Sequence, residues 1–458
     1  MSSPIEIVSA VFSQYFDWIM FAAMGLVALW SVSRRNGKQR HARQLLRKAI
    51  HEDATAISLH PEVDPRRCTG CGTCTAACPE GEVLQLVKHR SVLVAPAKCV
   101  GHGECERACP MGAITLVFGT KTRGIDIPRI TSDFETNVPG VYIAGELGGM
   151  GLIRNAVKQG HLAAKHALEN LRTIGGHTDT DILIVGAGPA GMSASLTAVA
   201  AKKRYLCIEQ NSFGGTVANF PRQKIVMTSP VVLPIVGPLK FKSNKVPKEE
   251  LLEKWERIRK ATTLKIQEAI TFRGFEVHNG IFVVATSAGL IRTRKVILAM
   301  GVRGTPRKLG LPNEDLPKVT YHLVDPQQYR NRSIAIVGSG NSAAEAAIAL
   351  ANPRYENKVT LLVRGQGLSR CNDENERNVS ALIAEDRIQM LTASEVKEID
   401  RDFLVVQQKE QTVQLPNDYL LILAGTELPH KFLMGLGIEI EKKFGEPLAT
   451  KLPDRKAL

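Results

Sequence analysis

At 458 residues the chain has room for roughly three domains at ~150 residues each, and its 44% hydrophobic and 23% charged residues exclude a disordered or collagenous protein. The net charge of +14, from 59 Lys+Arg against 45 Asp+Glu, is not spread evenly: residues 34–48 hold seven Lys/Arg and no acid, half of the excess, so the charge needs no nucleic-acid footprint. Seven of the nine cysteines fall between Cys68 and Cys109, a clustering that points to metal ligation in a reducing compartment and away from a disulfide framework.

The first predicted element is apolar. Residues 15–32 read YFDWIMFAAMGLVALWSV, near the minimum length for a bilayer-spanning helix. Trp18 and Trp30 stand near its ends, and the cations follow it rather than precede it. This reads as a transmembrane helix over 9–33 and a basic juxtamembrane linker over 34–60. The positive-inside rule then predicts a single-pass protein of the inner (cytoplasmic) membrane with its catalytic domains facing the cytoplasm. Asp17 is costly inside such a span and is expected at the outer interface or against a partner helix.

Residues 61–120 carry two cysteine motifs. The first, Cys68-Thr-Gly-Cys71-Gly-Thr-Cys74-Thr-Ala-Ala-Cys78-Pro79, is C-x2-C-x2-C-x3-C-P. Three cysteines on a tight glycine-containing loop wrap one face of an iron–sulfur cubane, and the fourth reaches another cluster. The second, Cys99-Val-Gly-His102-Gly-Glu-Cys105-Glu-Arg-Ala-Cys109-Pro110, repeats the spacing with His102 in the second ligand slot. The pair resembles the bacterial two-cluster ferredoxin domain. That resemblance implies one [4Fe–4S] cluster on Cys68, Cys71, Cys74 and Cys109, and a second on Cys78, Cys99 and Cys105. Three outcomes are open at the remaining slot: His102 is the fourth ligand, the cluster is [3Fe–4S], or the second cluster does not form.

Next comes an apolar strand and helix, Thr136-Asn-Val-Pro-Gly-Val-Tyr-Ile-Ala-Gly145-Glu146 running on to IRNAVKQGHLAAKHAL. The strand Asp181-Ile-Leu-Ile-Val then opens into Gly186-Ala-Gly188-Pro-Ala-Gly191, followed by a small-residue helix and a second strand ending at Glu209. The glycines let the backbone reach a pyrophosphate at a helix N-terminus, and the acid suits ribose hydroxyls. Gly214-Gly215-Thr216 forms a second glycine turn. A second fingerprint follows the strand Ser333–Val337: Gly338-Ser-Gly340-Asn-Ser-Ala343. Here the next strand ends at Arg364, with Arg370 six residues on. Cations at this place suit the 2′-phosphate of NADPH.

Two such fingerprints, the first ending in an acid and the second in a base, resemble the thioredoxin-reductase-like flavoproteins. That resemblance implies FAD on the first domain and NADPH on the second. It also makes Gly145 and Glu146 part of the FAD site, Glu146 standing where the family usually has Asp. In that family the Gly145 motif follows the segment matched here by Asp418–Pro429; in this chain it comes first. The expected fold class is therefore α/β: two Rossmann-like domains, a small α+β ferredoxin-like domain and the N-terminal helix. The FAD domain is permuted, over 121–310 and 425–458, with the NADPH domain at 311–424. No C-x-x-C lies in 311–424, so disulfide reductase activity is not carried over from the resemblance.

The reading is an NADPH oxidoreductase passing electrons between NADPH, FAD and two iron–sulfur clusters, with no acid–base residue required. Expected partners are the membrane and an electron-acceptor protein, cytochrome or quinone, with a possible homodimer and no nucleic acid. Two alternatives stand beside it: a low-molecular-weight disulfide reductase and a non-catalytic redox sensor or adaptor.

Overall fold

A computed structural model describes residues 4–51, 56, 59–149, 151–171, 176–227, 231–243, 245–302, 306–368, 371–425 and 429–447. The chain separates into two compact units. One comprises Met1–Thr55, Pro61–Pro96 and Gly103–Thr115; the other comprises Ala56–His60, Ala97–His102 and Leu116–Leu458.

In the first unit, helix α1 (Pro4–His51) runs without interruption through both the apolar stretch and the basic run. Its C-terminal part packs beside the cysteine region: Ala42 is buried, and His41 Nε2 lies 2.8 Å from Glu82 Oε1. The two cysteine loops open short helices, α2 (Thr73–Ala77) and α3 (Glu104–Ala108), in nearly the same way. Gly72 and Gly103 cap them at φ 80° and 77°, a left-handed conformation that costs glycine little. An antiparallel hairpin, Leu84–Val87 with Arg90–Leu93, completes the unit.

This overturns the expectation for the N-terminus. Among the described residues no helix is long and apolar enough to cross a membrane. The transmembrane helix over 9–33 and the inner-membrane, single-pass location facing the cytoplasm are therefore corrected. So is the linker over 34–60, because residues 34–51 continue α1.

The second unit holds two large sheets with separate cores, the first mixed and the second parallel. In the first sheet, strand Gly289–Leu298 is central. Its C-terminal half lies parallel to Thr180–Val185 on one side and to Val141–Ile143 on the other. Tyr205–Ile208 and Ile266–Gln267 extend the sheet beyond Thr180–Val185. The N-terminal half turns back through the antiparallel strands Ile281–Thr286 and Phe272–His278. Thus the strand Val141–Ile143, well upstream of the first fingerprint, belongs to the fingerprint's own sheet. Near the other end of the chain, Ile440–Lys443 pairs antiparallel with Ile125–Pro128.

Helices α4 (Ile153–Glu169) and α5 (Pro189–Ala200) pack on that sheet. Their contact is close because α4 buries Ala156, Gly160, Ala163, Ala164 and Ala167 at helical spacing. A Cβ at Gly160 would stand 2.0 Å from the Ala190 carbonyl oxygen of α5. Helix α6 (Lys248–Ala261) covers the same core with the fully buried Trp255.

The second sheet is drawn from one continuous stretch of chain, with all its neighbours parallel. Its order is Val319–Thr320, Tyr419–Ile422, Ser333–Val337, Lys358–Val363 and Ile388–Thr392. Helices α7 (Asn341–Leu350) and α8 (Asp373–Ala384) belong to this lobe, and a three-stranded antiparallel sheet over 394–416 flanks it.

Candidate functional site

The first glycine loop is shaped by what its backbone touches. Gly186 has φ +104°, and a Cβ there would meet the Ala299 carbonyl oxygen at 2.5 Å. A Cβ at Gly191 would lie 1.7 Å from the Gly186 carbonyl oxygen, so only glycine fits there. Gly188 caps α5 in extended backbone, with Pro189 opening the helix. Glu209 is buried; its carboxylate accepts from the Ala187 backbone N–H at 2.8 Å and from the Asn211 N–H at 3.0 Å. The Gly214 N–H donates to the Ala187 carbonyl at 3.1 Å. A Cβ on Gly215 would stand 3.3 Å from Gly188 Cα and 3.6 Å from Glu209 Oε2, and one on Gly301 3.9 Å from Thr216 Oγ1. The turn Gly214–Thr216, the fingerprint and the acid are therefore packed together.

The Gly145 motif comes to the same place. Gly145 has φ +86°, and a Cβ on it would lie 3.2 Å from Ala190 Cβ at the start of α5. Its N–H donates to the buried Gln159 Oε1 at 2.7 Å. Glu146 follows in a single 3-10 turn, Glu146–Gly148, and is partly exposed. Sequence reading missed Gln159 and Gly160. The small-residue spacing in α4 was the available signal for Gly160, whereas nothing local marks Gln159.

In the second lobe Gly338 has φ +150° and would place a Cβ 2.6 Å from the Leu423 carbonyl oxygen. Gly340 caps α7, and Ala343 is buried in its first turn. Arg364 is exposed just past the strand Lys358–Val363. Its charge helps hold Glu395 below its ordinary value, after the larger effect of Lys397. Arg370 lies outside the described residues.

Two cysteines belong to the reductase lobes, and both are buried. Burial pushes the Cys207 thiol up to about 12 and the Cys371 thiol up to about 11. Neither is a thiolate near neutral pH, so neither is poised for thiol–disulfide exchange.

The cysteine loops suit iron–sulfur ligation by their donor chemistry. None of the nine cysteines forms a disulfide. The Ser91 backbone N–H donates to Cys68 Sγ at 3.5 Å, and the Ala113 N–H donates to Cys109 Sγ at 3.3 Å. Backbone donors aimed at ligand sulfurs are one of the ways a protein tunes such a centre. Cys74 Sγ lies 3.2 Å from Ser91 Oγ. The hydroxyl of Thr73 beside Cys71 lowers that thiol's pKa, whereas burial raises that of Cys78. Among the described residues no three His, Cys, Asp or Glu side chains converge as a single-ion site; a cubane separates its ligands more widely than one ion does. The ligand positions divide between the units. Cys68, Cys71, Cys74, Cys78, Cys105 and Cys109 lie in the first, and Cys99 and His102 in the second.

Comparison with known proteins places these features in a class. Residues 183–453 match the model of the pyridine nucleotide-disulphide oxidoreductases, and residues 60–110 match that of the 4Fe-4S dicluster domain. The chain belongs to the pyridine nucleotide-disulphide oxidoreductase family, in its thioredoxin-reductase-like form. It is 30% identical over 272 residues to a ferredoxin–NADP reductase of Ignicoccus hospitalis, spanning 57% of this chain and 83% of the relative. It is 26% identical over 269 residues to bacilliredoxin reductase Bdr of Bacillus subtilis, spanning 58% of this chain and 82% of that one. The bacillithiol disulfide reductase Bdr from Staphylococcus aureus shares the fold, with TM-score 0.54 and 24% identity over 57% of this chain and 81% of that one. The protein is accordingly an NAD(P)H-dependent, FAD-containing oxidoreductase that carries an iron–sulfur domain.

Proposed function

We propose that this chain passes electrons between NADPH and two iron–sulfur centres of its own, by way of FAD, and onward to or from a one-electron partner of ferredoxin or cytochrome type or a quinone. The observation that carries this reading is the pairing of two features in one chain. The reductase lobes hold no poised thiol, their two cysteines being buried with raised pKa values. The dicluster motif beside them offers seven cysteines.

Bound FAD supplies the conversion between hydride transfer and single electrons, since iron–sulfur centres carry one electron each. The chain's own residues supply position. The Gly186–Gly191 loop leaves room for a pyrophosphate against the N-terminus of α5. Glu209, held by two backbone donors, presents its carboxylate at that loop toward the ribose hydroxyls. Gly145 and Glu146 close the flavin side, with Gln159 fixing the Gly145 backbone. In the second lobe Gly338, Gly340 and Ala343 form the corresponding nucleotide loop, and Arg364 and Arg370 take the 2′-phosphate. Cys68, Cys71, Cys74 and Cys109 hold one cluster. Cys78, Cys99 and Cys105 hold the other, [4Fe–4S] if His102 ligates and [3Fe–4S] if it does not.

Anaerobic titration of the purified protein with NADPH, followed by visible and EPR spectroscopy, tests this. The flavin should bleach and an iron–sulfur EPR signal should grow with it. Full flavin reduction with no cluster signal at excess NADPH would refute the reading. The similarity to bacilliredoxin reductase favours one rival, a low-molecular-weight disulfide reductase. Turnover of a disulfide by a Cys68→Ala/Cys105→Ala protein as fast as by the parent would select it.

A further inference from the structure

The loop bearing Cys99 and His102 folds with the reductase, and contacts of Arg154, Asn155 and Lys98 hold it there. From the first turn of α4, Arg154 Nη2 donates to the His102 carbonyl at 3.2 Å. Its neighbour Asn155 Nδ2 donates to the Gly101 carbonyl at 3.3 Å. Lys98, a mostly buried cation, pairs with Asp373 of α8 and lies 3.6 Å from Glu376. The loop's other side is closed by Leu59. Gly101 has φ +77°, and a Cβ there would stand 2.9 Å from the Leu59 carbonyl oxygen. Cys99 Sγ is 3.8 Å from that same oxygen. The backbone of residues 98–102 is thus set by helices of both dinucleotide lobes.

α4 is also the helix whose Gln159 fixes the Gly145 backbone. One rigid element therefore carries contacts to the flavin motif at one position and to the second cluster's ligand loop at others. Arg154 adds charge to position. A guanidinium on the ligand residue's own carbonyl favours the more negative, reduced state of a centre held there, and so raises its potential.

We propose that Arg154 and Asn155 are positioning residues for the second iron–sulfur centre. In this view α4 fixes the His102 loop from the flavin lobe, and the Arg154 charge holds that centre's potential above the value its own ligands would set. This rests on the reading above that the motif at Cys99–Cys109 takes part in holding a cluster. It adds that the Cys99–His102 loop is tuned by a helix of the reductase.

The test uses the full-length holoprotein, poised with dithionite and mediators and read by EPR, with no NADPH present. His102→Cys first identifies which signal belongs to the second centre. Arg154→Ala should then move that signal's midpoint potential downward and leave the other cluster and the flavin where they were. Arg154→Lys should restore part of the shift. Arg154→Gln, which keeps an amide donor without the charge, should behave like Arg154→Ala and serves if the alanine variant does not accumulate with flavin. Asn155→Ala should broaden the same signal with a smaller shift. An unmoved midpoint, a parallel shift of both clusters, or no signal responding to His102→Cys would each overturn the proposal. Because NADPH plays no part, the outcome is separate from that of the NADPH titration. Clusters that NADPH cannot reduce would end the functional reading and leave this result standing.

Discussion

The two dinucleotide lobes begin with nearly the same sequence and are built in different ways. The second lobe takes all five strands of its parallel sheet from one stretch of chain, residues 319–422. The first borrows Val141–Ile143 from before its fingerprint, and Ile440–Lys443 returns from the far side of the second lobe to pair at Ile125–Pro128. The loops differ in the same spirit. The third fingerprint position is Gly191 in the first lobe, where a Cβ would collide with a carbonyl. It is Ala343 in the second, where a Cβ is already accommodated. The acid Glu209 is buried and bonded to the loop, whereas Arg364 stands exposed at a strand end. The first lobe is therefore discontinuous in the chain and has no room for a Cβ at its third fingerprint position. The second is continuous in the chain and carries a buried alanine at that position.

The sharpest way to break this contrast is to exchange the third residue. Gly191→Ala should yield protein almost devoid of FAD, measured as flavin absorbance per chain, because the new methyl meets backbone that cannot yield. Ala343→Gly should keep FAD and cost about 1 kcal/mol of stability, with NADPH affinity little changed. Equal tolerance at both positions would remove the contrast.

Discontinuity is tested at α4. Gly160→Leu places a side chain where even a Cβ would be 2.0 Å from the Ala190 carbonyl. Overpacking of this kind costs roughly 1–3 kcal/mol or more. The variant should lose most of its flavin although the change lies outside the fingerprint. Wild-type flavin content would mean that α4 is not part of the FAD lobe.

Selectivity belongs to the other side of the comparison. Arg364→Ala should weaken NADPH by about 1.5–3 kcal/mol, as loss of a charge-assisted bond does, and leave NADH unaffected. Direct titration with both nucleotides measures this, and equal weakening would refute the 2′-phosphate contact.

The smallest effect concerns acid stability of the first lobe. Burial alone would raise the pKa of Asp181. The hydrogen bonds and charge of Arg204, with Arg294, outweigh that and hold the carboxyl below its usual 3.8. A depressed carboxyl stabilises the fold above its unfolded value, and that contribution fades as pH falls through the folded one. Asp181→Asn should lower stability at pH 7 by about 1 kcal/mol and reduce the further loss between pH 5 and pH 3. Urea unfolding at both pH values would show it, and an unchanged difference would exclude the ion pairs as its source.

The sequence by itself determined the local chemistry of this protein. Spacing marked both cysteine loops, because a tight turn that aims three thiols one way needs glycine at fixed offsets, and Gly72 and Gly103 take the left-handed conformation there. The same holds for both nucleotide fingerprints, whose strand, glycine loop and helix are contiguous. The tertiary structure decided what depends on residues distant in sequence. An apolar count could not by itself establish a membrane span: among the described residues no helix is long and apolar enough to cross one. Nor does spacing state which sheet Val141–Ile143 joins, since strand pairing is a contact across 150 residues. Gln159, Gly160, Arg154 and Asn155 carry no motif. Their roles come from the carbonyls and backbone that the fold brings against α4, and those lie in other segments of the chain.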